Sequence, residues 1–268
     1  MKPKFTLVTI TYNAEQALPR TLDSVMGQSY PYVEHLIIDG ASTDHTLRLA
    51  EQYKEESDET ASSHEVIITS EPDNGIYDAM NKGLKRATGD FICFLNAGDF
   101  LPTTDTLELI ADRITAEDAQ GKAQKPGEAI GVLYGDTDFV DNDGHFLRHR
   151  RLQPPERLTW RSFRHGMLVC HQAFYARTDI ARQTTYDLRY KYSADVDWCI
   201  RIMKECERQG LALVNLHAII ANYTEEGQTT IHHRESLMER YRVMCSHYGR
   251  VSTFLMHCWF VVRAVIKK

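Results

Sequence analysis

Strand and helix patterns alternate four times in the first 115 residues, and this alternation constrains the fold more than any other feature of the sequence. Four short apolar runs have the character of buried strands, and a segment with helical spacing follows each of them. The strands are predicted over residues 5–10, 34–38, 65–69 and 91–95, and the helices over 14–28, 43–54, 76–87 and 103–115. The pattern predicts an α/β fold with a Rossmann-like, mostly parallel sheet that is flanked by helices on both faces.

Polar residues follow each predicted strand, and in a parallel sheet they meet at one edge. Ligands of such sheets bind beyond the carboxyl ends of the strands. The four segments cover residues 9–13, 39–42, 71–75 and 96–99, and three of them contain an aspartate. A solvated turn would account for any one segment, but four in register favour a binding crevice. The buried fourth strand delivers Asp99, a lone carboxylate, into a turn of small residues.

Shorter strand patterns dominate the second half of the chain. We expect strands over 130–134, 138–140, 146–150, 170–177 and 211–220, with Asp143-Gly144 as a hairpin turn. Helices are predicted over 195–209 and 231–248, and polar surface loops over 55–63 and 117–129. This half therefore predicts a smaller β region that is followed by C-terminal helices.

The overall charge and the cysteines exclude several classes of function. A net charge of −6 and a pI near 6.1 argue against nucleic acid as a partner, because binding its phosphates needs a basic balance. Six cysteines occur without a CxxC pair, so neither a zinc site nor a disulfide framework is indicated. The N-terminus has no signal-peptide pattern, and we expect a cytoplasmic protein with reduced thiols.

Residues 254–268 form an apolar segment that ends in basic residues. The apolar run is shorter than the ~20 residues that a bilayer span needs. Leu255, Trp259, Val262 and Ile266 recur at helical spacing. Such a helix can make peripheral contact with the inner face of a membrane, or it can pack on the rest of the chain or on a second subunit of a homodimer. The sequence leaves both interpretations open.

Five segments resemble family 2 of the inverting glycosyltransferases, which have the GT-A fold. They read LVTITYN, HLIIDGASTDHT, DNGIYDAMNKGLKRATGDFICFLNAGD, HQAFYAR and YSADVDWCIR. Together they cover about residues 4–225 and are a specific signal, whereas each alone would be weak. The resemblance implies a GT-A catalytic domain over 1–225, with a nucleotide-sugar-binding half (1–100) and an acceptor-binding half (101–225), and a C-terminal helical extension over 226–268.

The resemblance also implies an activity and a set of ligands. Such an enzyme transfers a sugar from a nucleotide-sugar donor, here expected to be a UDP-sugar, to a hydroxyl of a saccharide or lipid-linked saccharide acceptor. The anomeric carbon is inverted, and a divalent cation, Mn²⁺ or Mg²⁺, is the cofactor. The family commonly serves bacterial cell-surface polysaccharide synthesis, and by analogy we expect the same here.

The roles of individual residues follow from matching these segments to the family's motifs. Asp195 matches the general base that takes the acceptor's proton, and Asp99 matches the metal ligand. His171 and Asp197 are expected on the acceptor side. The residues expected to bind the nucleotide-sugar are Thr11, Tyr12, Asp39, Asp73, Asp78, Asn81 and Lys82. Among these, Asp39 would accept the imide N–H of uracil.

Several of these roles have a structural alternative. Asp39 could cap the turn that follows its strand, and Asp195 could be the N-cap of its helix. Tyr12 could face the core, and His171 could be structural. Asp78 could orient a donor hydroxyl or only favour the helix N-terminus through the macrodipole.

Two departures from the family's pattern bear on the donor site. Ala97 takes the place of the first acid of the metal turn, so weaker metal binding is expected with Asp99 alone. The donor helix reads AMN where the family often has an arginine, so Lys82 or Lys85 would have to supply positive charge. The alternative function is therefore a nucleotide-sugar- or carbohydrate-binding module with weakened catalysis. A nucleotidyltransferase would need a glycine-rich loop after the first strand, where this chain has TYNA.

Overall fold

The computed structural model describes residues 2–60, 64–120, 129–225 and 233–266. These ranges contain eight strands and eight α-helices, with short 3₁₀ turns at Trp160–His165 and His171–Ala173. The strands are β1 Phe5–Thr11, β2 Val33–Asp39, β3 Glu65–Ser70, β4 Phe91–Phe94, β5 Ile130–Val140, β6 Phe146–His149, β7 Phe174–Arg177 and β8 Ala212–Thr224. The helices are α1 Leu18–Met26, α2 Thr46–Glu59, α3 Ile76–Arg86, α4 Thr106–Gln120, α5 Thr178–Gln183, α6 Ala194–Gln209, α7 His233–Tyr248 and α8 Arg250–Ile266.

All eight strands belong to one sheet, which changes character at its centre. Its order is β3-β2-β1-β4-β7-β5-β6, and β8 pairs with β5. Strands β1 to β4 are parallel, whereas β7 is antiparallel to β4, and β5 is antiparallel to β6 and β7. The chain moves outward from β1 to β3 and then places β4 on the other side of β1. This reversal of strand order opens a crevice at the carboxyl ends of β1 and β4.

Helices bury the central parallel strands. All residues of β1 and β2 are buried, so both faces of these two strands are covered. Helix α3 packs so closely on β1 that a Cβ added to Gly83 would lie 2.5 Å from Val8 Cγ1. Trp198 of α6 contacts Phe94 of β4 with ring centroids 5.7 Å apart. The first turns of α6 are therefore anchored at the end of β4.

The predicted α/β architecture is confirmed, although several elements differ in extent. Helix α2 continues to Glu59 through the predicted loop at 55–63, because Ser57 is buried and Lys54 pairs with Asp58 one turn away. Helix α4 likewise continues to Gln120, into the predicted loop at 117–129. Parts of three predicted elements lie outside the described residues. These are 61–63 and 121–128 of the two loops, and 231–232 of the helix predicted over 231–248.

Four strand predictions in the second half are wrong in their bounds. The segments 130–134 and 138–140 form the single strand β5, because register shifts around residues 134–137 keep the polar residues between them in the ladder. The segment 170–177 contains a 3₁₀ turn, and β7 begins only at Phe174. Strand β8 runs four residues beyond its predicted end, to Thr224.

The last two helices follow the sheet, and α7 packs on both α6 and α8. Within the ranges given above, no helix is both long enough and apolar enough to span a membrane. On α8, Phe254, Leu255 and Trp259 are 51–61% exposed, so this apolar face does not pack on the rest of the described chain. Lys267 and Lys268 lie outside the described residues. Contact of this exposed face with a membrane or with a second subunit stays a prediction.

Candidate active site

The turn after β4 places the Asp99 carboxylate in a buried position. Gly98 has a positive φ of 100°, a conformation that suits glycine. Thr21 of α1 accepts a hydrogen bond from the Gly98 N–H (2.9 Å) and donates one to the Asp99 backbone oxygen (2.7 Å). The Asp99 side chain accepts hydrogen bonds from Gln172 Nε2 (2.8 Å) and the Thr224 N–H (3.2 Å). Three separate parts of the chain therefore fix Asp99, two of them through its carboxylate.

The surroundings of Asp99 suit a divalent cation. Asp99 is 4% exposed, and burial raises its pKa to about 6, although the Gln172 hydrogen bond and the charge of His171 act in the opposite direction. Among the described residues, no lysine or arginine pairs with this carboxylate. In the same turn, Asn96 Oδ1 is buried and has no hydrogen-bond partner in the described part of the chain. Two buried oxygen atoms in one turn are a donor set that Mg²⁺ and Mn²⁺ accept.

A second carboxylate, Asp195, lies in the first turn of α6. Its Oδ1 accepts a hydrogen bond from the Tyr77 hydroxyl (3.2 Å), and its Oδ2 is 3.5 Å from His171 Nδ1. Burial on its own would raise the pKa of Asp195, but the hydrogen bond and charge of His171 and the charge of Arg240 lower it overall. Asp195 is therefore ionised at neutral pH, as a general base must be. Ser193 occupies the N-cap position of α6, so the N-cap alternative for Asp195 is wrong.

His171 connects the two carboxylate regions. Its Nε2 is 3.2 Å from Asn96 Nδ2. The other ring nitrogen, Nδ1, faces Asp195. A chain of contacts thus runs from Asp195 through His171 to Asn96, in the turn that contains Asp99. Asp195, His171 and Asp99 are among the residues predicted for the site, and their roles stay predictions.

Asp39 lies at the end of β2 beside Thr11 at the end of β1. Its carboxylate is buried and accepts hydrogen bonds from Thr11 Oγ1 (3.0 Å), Ser70 Oγ (2.6 Å), and the Ser42 N–H (3.0 Å) and Oγ (2.5 Å). Burial opposes ionisation, but these bonds lower the pKa of Asp39 overall. The contacts with Ser42 are those expected if Asp39 caps the turn that follows β2. The expected uracil contact stays a prediction, and it requires one of the three hydroxyl groups to turn away.

Three further donor-site candidates surround the same strand ends. Tyr12 is 66% exposed, so it does not face the core. A Cβ added to Gly40 would lie 2.6 Å from Asp73 Oδ2 and 3.3 Å from Tyr12 Cδ2, so both side chains approach the backbone after β2. Asp78 accepts hydrogen bonds from the Asn74 N–H (3.0 Å) and Nδ2 (3.2 Å) at the start of α3. These residues form an open surface at the carboxyl ends of β1 and β2.

Two of the predicted donor-site residues make contacts within the protein. Asn81 pairs through both ends of its amide with the backbone of Tyr186 (3.0 and 2.7 Å). Lys82 Nζ donates to the Pro72 carbonyl at 2.7 Å and lies 3.3 Å from the Glu71 carboxylate. Roles for Asn81 and Lys82 in donor binding stay predictions.

Asp197 lies on another side of α6 from Asp195. It pairs with Arg201 at 2.6 Å and with His247 of α7 at 2.7 Å. The contact with His247 joins α6 to α7. A role for Asp197 toward the acceptor stays a prediction.

Sequence reasoning missed four residues of this site: Tyr77, Asn96, Gln172 and Arg240. Gln172 and Asn96 stand inside quoted motifs, one beside His171 and the other three residues before Asp99, and this proximity was a usable signal. The sequence carries no such signal for Tyr77 and Arg240, because only the fold brings them near Asp195.

A cluster of metal-ligating side chains also occurs in the β5–β6 hairpin. Potential ligand atoms of Asp141, Asp143 and His145 lie within 4.8 Å of one another. Asp141 Oδ1 accepts the N–H groups of Asp143 (2.9 Å) and His145 (2.8 Å), which is ordinary turn geometry. The hairpin contacts account for this cluster without a metal.

Comparison with known proteins identifies the family. The sequence profile of "Glycosyl transferase family 2" matches residues 6–182. The chain belongs to glycosyl transferase family 2. This glycosyltransferase is 32% identical over 230 residues to a PGL/p-HBAD biosynthesis glycosyltransferase of Mycobacterium bovis, which covers 84% of the chain and 78% of the relative. It is 30% identical over 224 residues to the amylovoran biosynthesis glycosyltransferase AmsB of Erwinia amylovora, at 82% and 69% coverage. The predicted family is confirmed, and the protein is an enzyme that transfers sugars.

Solved structures confirm the GT-A fold of the glycosyltransferase. S. aureus TarS 1–349 in complex with UDP-GlcNAc matches with a TM-score of 0.68 and 19% identity. The mannosyltransferase PcManGT of Pyrobaculum calidifontis, in complex with GDP-Man and Mn²⁺, matches with a TM-score of 0.57 and 17% identity. The matches cover 90% and 94% of this chain, and the chain spans 64% of each of those two chains. At these identities the likeness concerns the fold.

Proposed function

We propose that this glycosyltransferase transfers a sugar from a UDP-sugar to an acceptor hydroxyl, with inversion at the anomeric carbon. The observation that carries the proposal is the chain of contacts from Asp195 through His171 to Asn96. It joins an ionised carboxylate to the turn that contains Asp99, at the edge of the sheet where nucleotides bind in such folds. A base on one side of a donor site is the arrangement that direct displacement requires.

In this mechanism Asp195 takes the proton of the acceptor hydroxyl while its oxygen attacks the anomeric carbon. The bond to the UDP oxygen breaks on the opposite side, so the configuration inverts. His171 and Tyr77 hold the two carboxylate oxygens of Asp195 in place. Tyr12, Asp39 and the residues around them would bind the uridine at the ends of β1 and β2.

Asp99 and Asn96 Oδ1 would hold a divalent cation, Mn²⁺ or Mg²⁺, together with the donor's phosphates. A bound cation offsets the negative charge that develops on the departing nucleoside diphosphate. The PcManGT complex contains Mn²⁺, and the TarS complex contains UDP-GlcNAc, which agrees with this choice of ligands. The relatives named for PGL/p-HBAD and amylovoran biosynthesis support a saccharide or lipid-linked saccharide acceptor in cell-surface polymer synthesis.

We further propose that residues 1–225 contain the donor and acceptor sites, while α8 contacts the inner face of the cytoplasmic membrane. Residues 233–268 carry seven lysines and arginines but two acidic residues, although the whole chain has a net charge of −6. This excess of basic residues, in a segment that contains the exposed Leu255 and Trp259, suits an anionic lipid surface. Pairing of this face with a second subunit is the alternative.

Release of UDP from a panel of UDP-sugars tests the proposed activity. The purified protein should release UDP in the presence of Mn²⁺ and a mixture of saccharide acceptors, and EDTA should suppress the release. Binding of UDP-sugars without any release would instead identify a binding module of the same fold. Failure to bind any UDP-sugar would contradict the choice of uridine.

A further inference from the structure

Helix α7 contacts the turn that leads into Asp195. Glu239 of α7 is 9% exposed, and its carboxylate accepts three consecutive backbone N–H groups, from Lys191 (2.8 Å), Tyr192 (2.6 Å) and Ser193 (2.7 Å). Hydrogen bonds to an ionised carboxylate are short and strong, so three of them fix the turn firmly. Ser193 is the N-cap of α6, and Asp195 follows two residues later. The contact therefore determines where the helix with the proposed base begins.

Two further contacts set α7 against the first turns of α6. Ser193 Oγ donates to the Ser236 carbonyl at 3.2 Å, and His247 Nε2 lies 2.7 Å from Asp197 Oδ1. Arg240, the neighbour of Glu239, contributes the positive charge that helps to lower the pKa of Asp195. A helix of the predicted C-terminal extension thus sets both the position and the electrostatic surroundings of Asp195.

We propose that Glu239 is a positioning residue for sugar transfer, which holds the 191–193 turn so that Asp195 stays between Tyr77 and His171. The inference rests on the proposed role of Asp195 as the base. It assigns α7 to the active site, although α7 lies beyond residues 6–182, which the family profile matches. Glu239 acts through the backbone and does not touch the reacting atoms.

The test uses the full chain with Glu239→Gln and, as a matched control, Glu235→Gln, which changes an exposed residue of the same helix. Glutamine keeps the size of the side chain but has one acceptor oxygen in place of two. The kcat of UDP-sugar turnover should fall about 10- to 10²-fold, because misplacement of a catalytic group by about 1 Å costs this much. The donor KM and the Kd for UDP should change less than about twofold, and Glu235→Gln should match the wild type. Glu239→Ala removes all three contacts with the backbone N–H groups and should lower kcat further.

A wild-type kcat in both Glu239 variants, or a loss that appears only in the donor KM, would overturn the proposal. Hydrogen exchange provides a readout that needs no turnover: the amides of residues 191–193 should exchange faster in Glu239→Gln than in Glu235→Gln. Unchanged exchange would show that Glu239 does not hold the turn. A wild-type protein without UDP-sugar turnover would instead contradict the proposed function, whatever the exchange shows.

Discussion

At the scale of single residues, Asp195 makes the sharpest prediction. Asp195→Asn keeps the size of the side chain and a hydrogen bond to Tyr77, but it removes the basic carboxylate. We expect kcat to fall about 10²- to 10⁴-fold, while the Kd for UDP measured by calorimetry stays unchanged. Asp187→Asn, in the same acceptor-side region and paired with exposed Arg189, is the control and should keep normal turnover. Near-normal turnover of Asp195→Asn would move the base to another residue.

The proposed role of Asp99 as a metal ligand predicts how UDP release responds to Mn²⁺. Asp99→Ala should abolish Mn²⁺-stimulated UDP release, because its carboxylate is the charged member of the proposed ligand pair with Asn96. The fold should survive, which a thermal unfolding curve can verify. Asp143→Ala, in the exposed hairpin cluster, is the control and should respond to Mn²⁺ like the wild type. The opposite result, with metal dependence lost only in Asp143→Ala, would place the metal in the hairpin.

The residues of the site could be predicted only where the chain itself marks them. Asp39 and Asp99 could be predicted because Asp39 ends β2 and Asp99 lies in the turn after β4, and strand ends converge in a parallel sheet. Tyr77 and Asp195 are 118 residues apart, and Glu239 is 46 to 48 residues from the turn it contacts. No spacing rule joins such pairs, so the fold was needed to find them.

At the scale of secondary-structure elements, His35 predicts a pH dependence of stability. His35 of β2 contacts Thr9 of β1 (2.9 Å) and Tyr53 of α2 (2.8 Å), and burial, aided by nearby His64, lowers its pKa to about 3. An unfolded histidine titrates near 6.5, so between pH 6.5 and 3 only the unfolded chain gains this proton. The contribution of His35 to stability is therefore complete above pH 6.5 and is lost as the pH falls toward 3.

Urea unfolding at pH 7.5 and pH 5.5 measures this contribution. The free energy of unfolding should fall by about 1 kcal/mol more in the wild type than in His35→Gln, since one proton per molecule corresponds to about 1.4 kcal/mol per pH unit. His45→Gln, at an exposed histidine, should behave like the wild type. Equal pH dependence in wild type and His35→Gln would show that His35 gains its proton between pH 7.5 and 5.5 in the folded protein as it does in the unfolded chain.

The strands of the parallel half could be predicted because each contains a short apolar run, such as Leu36 to Ile38 of β2 or Phe91 to Phe94 of β4. Strand β5 could not be predicted as one strand, since Gly135, Asp136 and Thr137 interrupt its apolar pattern and only the register shifts with β8 retain them. The end of α2 was also not predicted, because its residues have the composition of a loop. Its last turn is mostly charged and resembles a loop, yet Ser57 is buried and supports the helix.

At the scale of the whole molecule, α8 predicts binding to lipid. The full chain should float with anionic vesicles at low salt and less at high salt, because salt screens the attraction between basic residues and lipid. Leu255→Glu with Trp259→Glu should not float, since both side chains are exposed and the change removes apolar contact. Leu109→Glu, at a partly exposed position of α4, is the control. A full chain that stays in solution and is dimeric by sedimentation would instead favour pairing of the α8 face with a second subunit.

The anomeric configuration of the product tests the central account most directly. The wild-type protein, with Mn²⁺, an α-linked UDP-sugar that it turns over and an accepted saccharide, is followed by proton NMR. The account predicts a β-linked product and one UDP for each sugar transferred, because Asp195 activates the acceptor for a single displacement. An α-linked product would mean retention of configuration and would contradict the assignment of Asp195 as the base of an inverting transfer.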